Sequence, residues 1–98
     1  MAIAKCMIKK AQPEFNLNDA LFAAKALNGA TFKLYMYLCS FPKEETLYEK
    51  KNFIKLLNTT NKTADQSFQE LIEKNYLIPK NNLNYIFTQT GENAIEEG

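Results

Sequence analysis

The stretch that most restricts the fold is residues 56–80, LLNTTNKTADQSFQELIEKNYLIPK. Two leucines run into a polar knot of Asn and Thr. Ala64, Phe68, Leu71 and Ile72 then recur at spacings of four, three and one, which is one face of a helix over residues 61–74. Thr60 is a good N-cap for it. Its outer face holds Asn61, Lys62, Asp65, Gln66, Gln69 and Glu73. Ahead of the knot, Phe53, Ile54 and Leu57 form the apolar face of another helix, with Lys50, Lys51 and Lys55 off that face. Asn58 and Asn75 end the two helices, because Asn tolerates the left-handed conformation that a helix C-terminus often needs. Two amphipathic helices are thus expected to pack together across a tight turn.

Downstream, Tyr76-Leu77-Ile78-Pro79 reads as a strand, Asn81-Asn82 as a tight turn and residues 83–88 as the return strand. Pro79 confines the first strand to an edge or to its own end. Thr88 is a candidate cap for a short helix reaching Glu97, with Ala94 and Ile95 as its only apolar contacts. Upstream, ATFKLYMYLCSF covers most of a helix surface with Phe32, Leu34, Tyr35, Met36, Leu38, Cys39 and Phe41. Such a wide apolar face belongs to a central helix with more than one neighbour. Pro42 stops it. Asn28 can cap it, and Asn28-Gly29 breaks the helix before, LFAAKAL, which is expected to turn Leu17, Leu21, Ala24 and Phe22 inward behind a capping Asn16-Leu17-Asn18-Asp19. Two segments read ambiguously. The run Ile3 to Ile8 has strand character, closed by Pro13. Thr46 and Glu49 have capping-box spacing, yet Thr46 to Tyr48 also reads as a short strand with the helix starting near Glu49.

The 98 residues fit a single domain, with residues 1–27 as an N-terminal extension, 28–91 as the core and 92–98 as a short tail. At 46% hydrophobic and 12% aromatic the chain can fill a core. No apolar run approaches the roughly 20 residues of a membrane span, and the start lacks the order of a signal peptide. A cytoplasmic protein is expected, with Cys6 and Cys39 as free thiols. The chain has no His and no Arg, and no C-x-x-C spacing, so neither a metal site nor a cofactor is expected. Acid–base chemistry loses its usual imidazole, and Glu44-Glu45 and Glu96-Glu97 fall in loop and tail. No enzyme and no small-molecule ligand are expected. Charge is uneven: residues 1–62 hold ten lysines and five acids (+5), residues 63–98 two lysines and six acids (−4).

The order of helix, strand, helix, turn, helix and hairpin resembles a winged helix-turn-helix domain from about Asn28 to Gly91, an α+β fold with a three-helix core and a β-hairpin wing. LLNTTNKTADQSFQELIEKNYLIPK is similar to that family's turn, reading helix and Glu-Lys-Gly-Tyr-Leu exit, with Asn58 and Asn75 where Gly is usual. YIFTQTGENAI is similar to the Leu-Thr-x-x-Gly lead into the last helix of MarR-like regulators. Thr59 departs from the pattern, standing where Ile or Leu normally tucks into the core. The opening FNLNDALFAAKALNGATFKLYMYL resembles winged-helix proteins of plasmids and phages that act in replication, partition or conjugative transfer.

The resemblance implies a sequence-specific binder of double-stranded DNA, serving such a process or transcriptional regulation. The first turn of the second helix offers Thr60, Asn61, Lys62, Thr63 and Gln66. Asn and Gln amides pair bidentately with adenine and Thr methyls touch thymine, so directly read positions should contain A·T pairs. Three acids (Asp65, Glu70, Glu73) against two lysines (Lys62, Lys74) make that helix a poor source of electrostatic affinity. Phosphate contacts are therefore expected from Lys50 and Lys51, from Lys80, Asn81, Asn82 and Asn84 on the wing, and from Lys9 and Lys10, with Lys5, on an N-terminal arm. Six to eight phosphate contacts give a salt slope of roughly −5 to −7, reachable when two subunits share them. A homodimer is expected, with Ile3, Met7, Ile8, Phe15 and Phe22 as surplus apolar residues that complete the core or meet a second copy. The alternative is a protein-contact module, such as a partner within a replication or transfer complex, that reads no DNA.

Overall fold

In the computed structural model, residues 3–91 are described. The first element among them is a strand, β1 (Lys5–Lys10), and it occupies an interior place in the sheet. Two helices follow, α1 (Leu17–Ala26) and α2 (Gly29–Cys39), then β2 (Glu45–Glu49), α3 (Lys50–Leu57), α4 (Asn61–Glu73) and a hairpin of β3 (Leu77–Asn81) and β4 (Asn84–Phe87). The sheet order is β2-β1-β4-β3. β1 runs antiparallel to β2, with Cys6 opposite Tyr48 and Ile8 opposite Thr46. It runs parallel to β4, with Ile8 opposite Tyr85. Among the described residues this is a mixed α+β architecture of four helices and one four-stranded sheet.

Alternation along the strands sends Cys6, Ile8, Tyr48, Leu77, Tyr85 and Phe87 to the buried side, under the helices. Tyr35 of α2 lies at the centre of that core. Its ring meets Tyr76 and Phe87 edge-on, at centroid distances of 5.6 and 5.4 Å. Its hydroxyl donates to the Gln89 carbonyl at 2.9 Å. Gln89 is itself buried and ties down the segment leading into α1. Its Oε1 accepts from the Asn16 amide (2.8 Å), its Nε2 donates to the Glu14 carbonyl (2.8 Å), and its own amide donates to Gln12 Oε1 (3.0 Å). Two buried hydroxyl oxygens, Tyr48 Oη and Ser67 Oγ, have no hydrogen-bond partner among the described residues.

Several sequence expectations hold. Asn16, Asn28 and Thr60 cap α1, α2 and α4 with their side chains. Asn58 and Asn75 take positive φ, 52° and 66°. Pro79 sits on an edge strand. Others are corrected. Of the two readings of Thr46 to Glu49 the capping box does not form and the strand does, with α3 starting at Lys50: that stretch is β2, since pairing with β1 buries Tyr48 completely. The hairpin turn is Asn82-Leu83 rather than Asn81-Asn82. Asn81 Oδ1 accepts from the Leu83 amide and from Asn84 Nδ2 (3.0 and 2.9 Å), a local side-chain turn that needs no positive φ. α1 turns Ala20 and Ala23 inward and leaves Leu17, Leu21 and Phe22 exposed, the reverse of the expected face. The segment 5–10 is no arm, because both of its edges are paired. The helix expected beyond Thr88 falls mostly outside the described residues.

Candidate nucleic-acid interface

α3 and α4 meet across Asn58, Thr59 and Thr60. The left-handed turn at Asn58 lets the Thr59 amide reach back to the Ile54 carbonyl (3.1 Å), while Thr60 Oγ1 accepts from the Thr63 amide (3.1 Å). Thr59 is half-buried. Ala64, Ser67, Phe68 and Leu71 then anchor α4 in the core, which leaves Asn61, Lys62 and Gln66 exposed on its first two turns. No hydrogen bond or ion pair to another described residue engages those three side chains. Thr60 and Thr63 differ, since their hydroxyls bond each other (3.1 Å).

The acids of α4 have structural partners. Asp65 takes the Lys50 ammonium at 3.0 Å, joining α4 to the first residue of α3. Glu70 accepts from Thr31 Oγ1 and from the Asn28 amide, both at the start of α2, and pairs with Lys74 at 3.1 Å. Burial pushes the Glu70 carboxyl up, but the bonds from Thr31, Lys74 and Asn28 and the Lys74 charge outweigh it and hold the group below its ordinary value. Lys74 in turn donates to the Ala26 carbonyl (2.6 Å), at the last residue of α1. Only Glu73 stays on the helix surface, within reach of Gln69 at 3.4 Å. Two of the three acids thus hold helices together.

The predicted contact residues fall into separate groups. Lys50 and Lys51 join Lys5, Lys55 and Asn61 around a hollow of about 320 Å³, with Ala4, Ile54 and Glu49 completing its wall. Four lysines against Glu49 and the nearby Asp65 leave an excess of two positive charges there. Glu49 lies 4.0 Å from Lys5 and 3.8 Å from Lys51, long separations that leave both ammonium groups largely in water. Lys50 is different, its side chain only 15% exposed and committed to Asp65. The hollow opens beside Asn61, so it adjoins the positive end of α4.

On another side of α4, Gln69 and Ile72 face Pro79, Lys80, Asn81, Asn82 and Tyr85 across a groove of about 580 Å³. The hairpin tip is therefore near the C-terminal half of α4 rather than its first turn. Lys80 and Asn84 also share a smaller depression on the outer sheet surface with Lys9 and Glu45. Lys9 is 3.8 Å from Glu44. Lys10 points the other way and donates to the Phe41 carbonyl just past α2, so it belongs to the body of the fold and not to this surface.

Sequence reasoning put Lys5 on an arm and left Lys55 merely flanking a helix. It is the β1–β2 pairing, Lys5 opposite Glu49, that carries Lys5 to the head of α3. No local spacing signals that meeting. Both cysteines are free, and burial pushes each thiol up to about 12, against an opposing pull from Lys10 at Cys39. Among the described residues no group of three or more His, Cys, Asp or Glu side chains could hold a metal ion. No helix among them is long and apolar enough to cross a membrane. Compared with protein-family models, with curated proteins and with solved structures, the chain finds no match in any of the three.

Proposed function

We propose that the chain is a winged helix-turn-helix protein that binds double-stranded DNA as a homodimer, with α3 and α4 as the helix-turn-helix and the β3–β4 hairpin as the wing. The observation that carries this reading is the setting of the α4 N-terminus. Asn61, Lys62 and Gln66 stand exposed there, next to a hollow rimmed by Lys5, Lys51 and Lys55. Amides at a helix start can read adenine in the major groove while neighbouring ammonium groups hold phosphates. Asp65 and Glu70, the acids that argued against such docking, point their charge at Lys50, Lys74 and the start of α2. Lys80, Asn81 and Asn82 on the wing lie farther along and would track the backbone or enter a minor groove. Accessory roles in mobile-element replication or transfer, or in transcription, follow from the resemblance of the opening segment.

Gel shifts on a random duplex pool at low salt test the reading. Lys62→Ala with Gln66→Ala should relax sequence preference. Lys51→Ala with Lys55→Ala should weaken all duplexes alike and lower the magnitude of the salt slope by about 2. Absence of binding by the unaltered chain would sink the proposal. Loss only with Lys80→Ala and Asn81→Ala would move reading to the wing. The second reading, a protein-contact module, draws on the exposed apolar residues of α1 and predicts no shift at all.

A further inference from the structure

α1 is built inside out. A helix that only had to cover its own core would turn its largest apolar residues inward. Here Ala20 and Ala23 make the inward contact, at 3% and 0% exposure, while Leu17 and Leu21 of the same helix are 63% and 56% exposed and Phe22 is 61% exposed. Phe15, just ahead of the cap, adds a fourth at 48%. At about 150–250 Å² for a large side chain, these four leave roughly 400 Å² of apolar surface in water, on one short helix and its lead-in.

We propose that this face of α1 pairs with α1 of a second copy of the chain, the two helices crossing antiparallel at Leu21 and Phe22. The parts of this sequence outside the described residues, 1–2 and 92–98, supply only Met1, Ala2, Ala94 and Ile95 against four large side chains. An anionic membrane would ask for a basic rim, yet the helix has Lys25 alone, balanced by Asp19. A second copy answers both points. An antiparallel crossing that sets Leu21 against the mate's Phe22 places each exposed Lys25 opposite the mate's Asn18, one position from its half-buried Asp19, so the one cation of each helix lies nearest the one anion of the other.

The area sets the strength. A stable interface buries about 800 Å² per partner, and the four side chains supply about half of that. The remainder must come from Asn18, Ala24 and Lys25 between and beside them. The expectation is a concentration-dependent monomer–dimer equilibrium rather than a permanent dimer. The position also suits the reading above. Lys74 fastens the last residue of α1 to the C-terminal end of α4, the end away from Asn61, so pairing through α1 leaves the lysine hollow and the first turn of α4 uncovered.

The inference supplies a surface for the homodimer proposed above, but it is tested without DNA, so the two can fail separately. Sedimentation velocity of the intact chain over a range of concentrations should show reversible dimerisation. Leu21→Glu and Phe22→Glu should each raise the dissociation constant at least tenfold, and Leu17→Ser several-fold, with circular dichroism unchanged because all three sites are exposed. Leu47→Glu, at an exposed position on the outer sheet surface, should dimerise like the parent. A parent chain that stays monomeric, α1 variants that stay dimeric, or a dimer broken by Leu47→Glu would each overturn the proposal.

Discussion

Glu70 reads, in sequence, as a charge that repels an anionic partner; its surroundings give it another task. Its carboxylate accepts from Thr31 and Asn28 and faces Lys74, so it fastens α4 to the beginning of α2. Hydrogen bonds to a charged acceptor contribute about 1.5–3 kcal/mol, and the Glu70 side chain is only 21% exposed, so Glu70→Gln should lower stability by about 1–2 kcal/mol. The pH dependence has a definite sign. A carboxyl held below its ordinary value of 4.5 contributes fully above that value and loses its contribution as pH falls through the depressed one. The stability gap between the parent and Glu70→Gln should therefore be constant near neutrality and close in acid, which urea denaturation at a series of pH values measures. A gap that widened on acidification would contradict the assignment. Asn58 and Asn75 were legible residue by residue, because positive φ is a local demand that Asn meets locally. The role of Glu70 was not, since Asn28 and Thr31 lie about forty positions away in the chain.

At the scale of elements, the boundaries of α2, α3 and α4 and the hairpin strands follow from periodicity and capping, and the structure places them within a few residues of expectation. α1 is the informative failure. Amphipathicity assigns the largest residues to the core, but α1 buries Ala20 and Ala23 instead, and a larger side chain at a fully buried alanine has to displace its neighbours. Ala23→Leu should then cost about 1–3 kcal/mol from overpacking, while Leu21→Ala should leave monomer stability within about 0.5 kcal/mol. Thermal denaturation of both variants at low concentration, where any self-association is minor, separates the two faces. Equal costs would mean that Leu21 packs inward after all. Asp65 belongs to this scale too. An i, i+3 partner for it stood ready in Lys62, yet it binds Lys50 across the α3–α4 turn, a contact that only the folded turn creates.

For the whole molecule, the sheet order β2-β1-β4-β3 was the least legible feature. The run that became β1 carries no mark of its neighbours, and parallel pairing with a strand some eighty residues later leaves nothing local to read. The lysine hollow inherits the same opacity, because Lys5 reaches α3 only through that sheet. Removal of residues 1–10 is expected to split the sheet between β2 and β4 and to expose Tyr48 and Tyr85, both packed against Phe68. A truncated chain that kept the parent's cooperative melting and near-ultraviolet dichroism would refute this. The threading of β1 also imposes an order in time. Of the four described strands β1 is synthesised first, and its parallel partner β4 is synthesised last. Helices α2 to α4 can form from contacts near in sequence, whereas closing the β1–β4 pair spans most of the chain and slows the final step. During synthesis β1 cannot take its parallel neighbour until β4 has emerged.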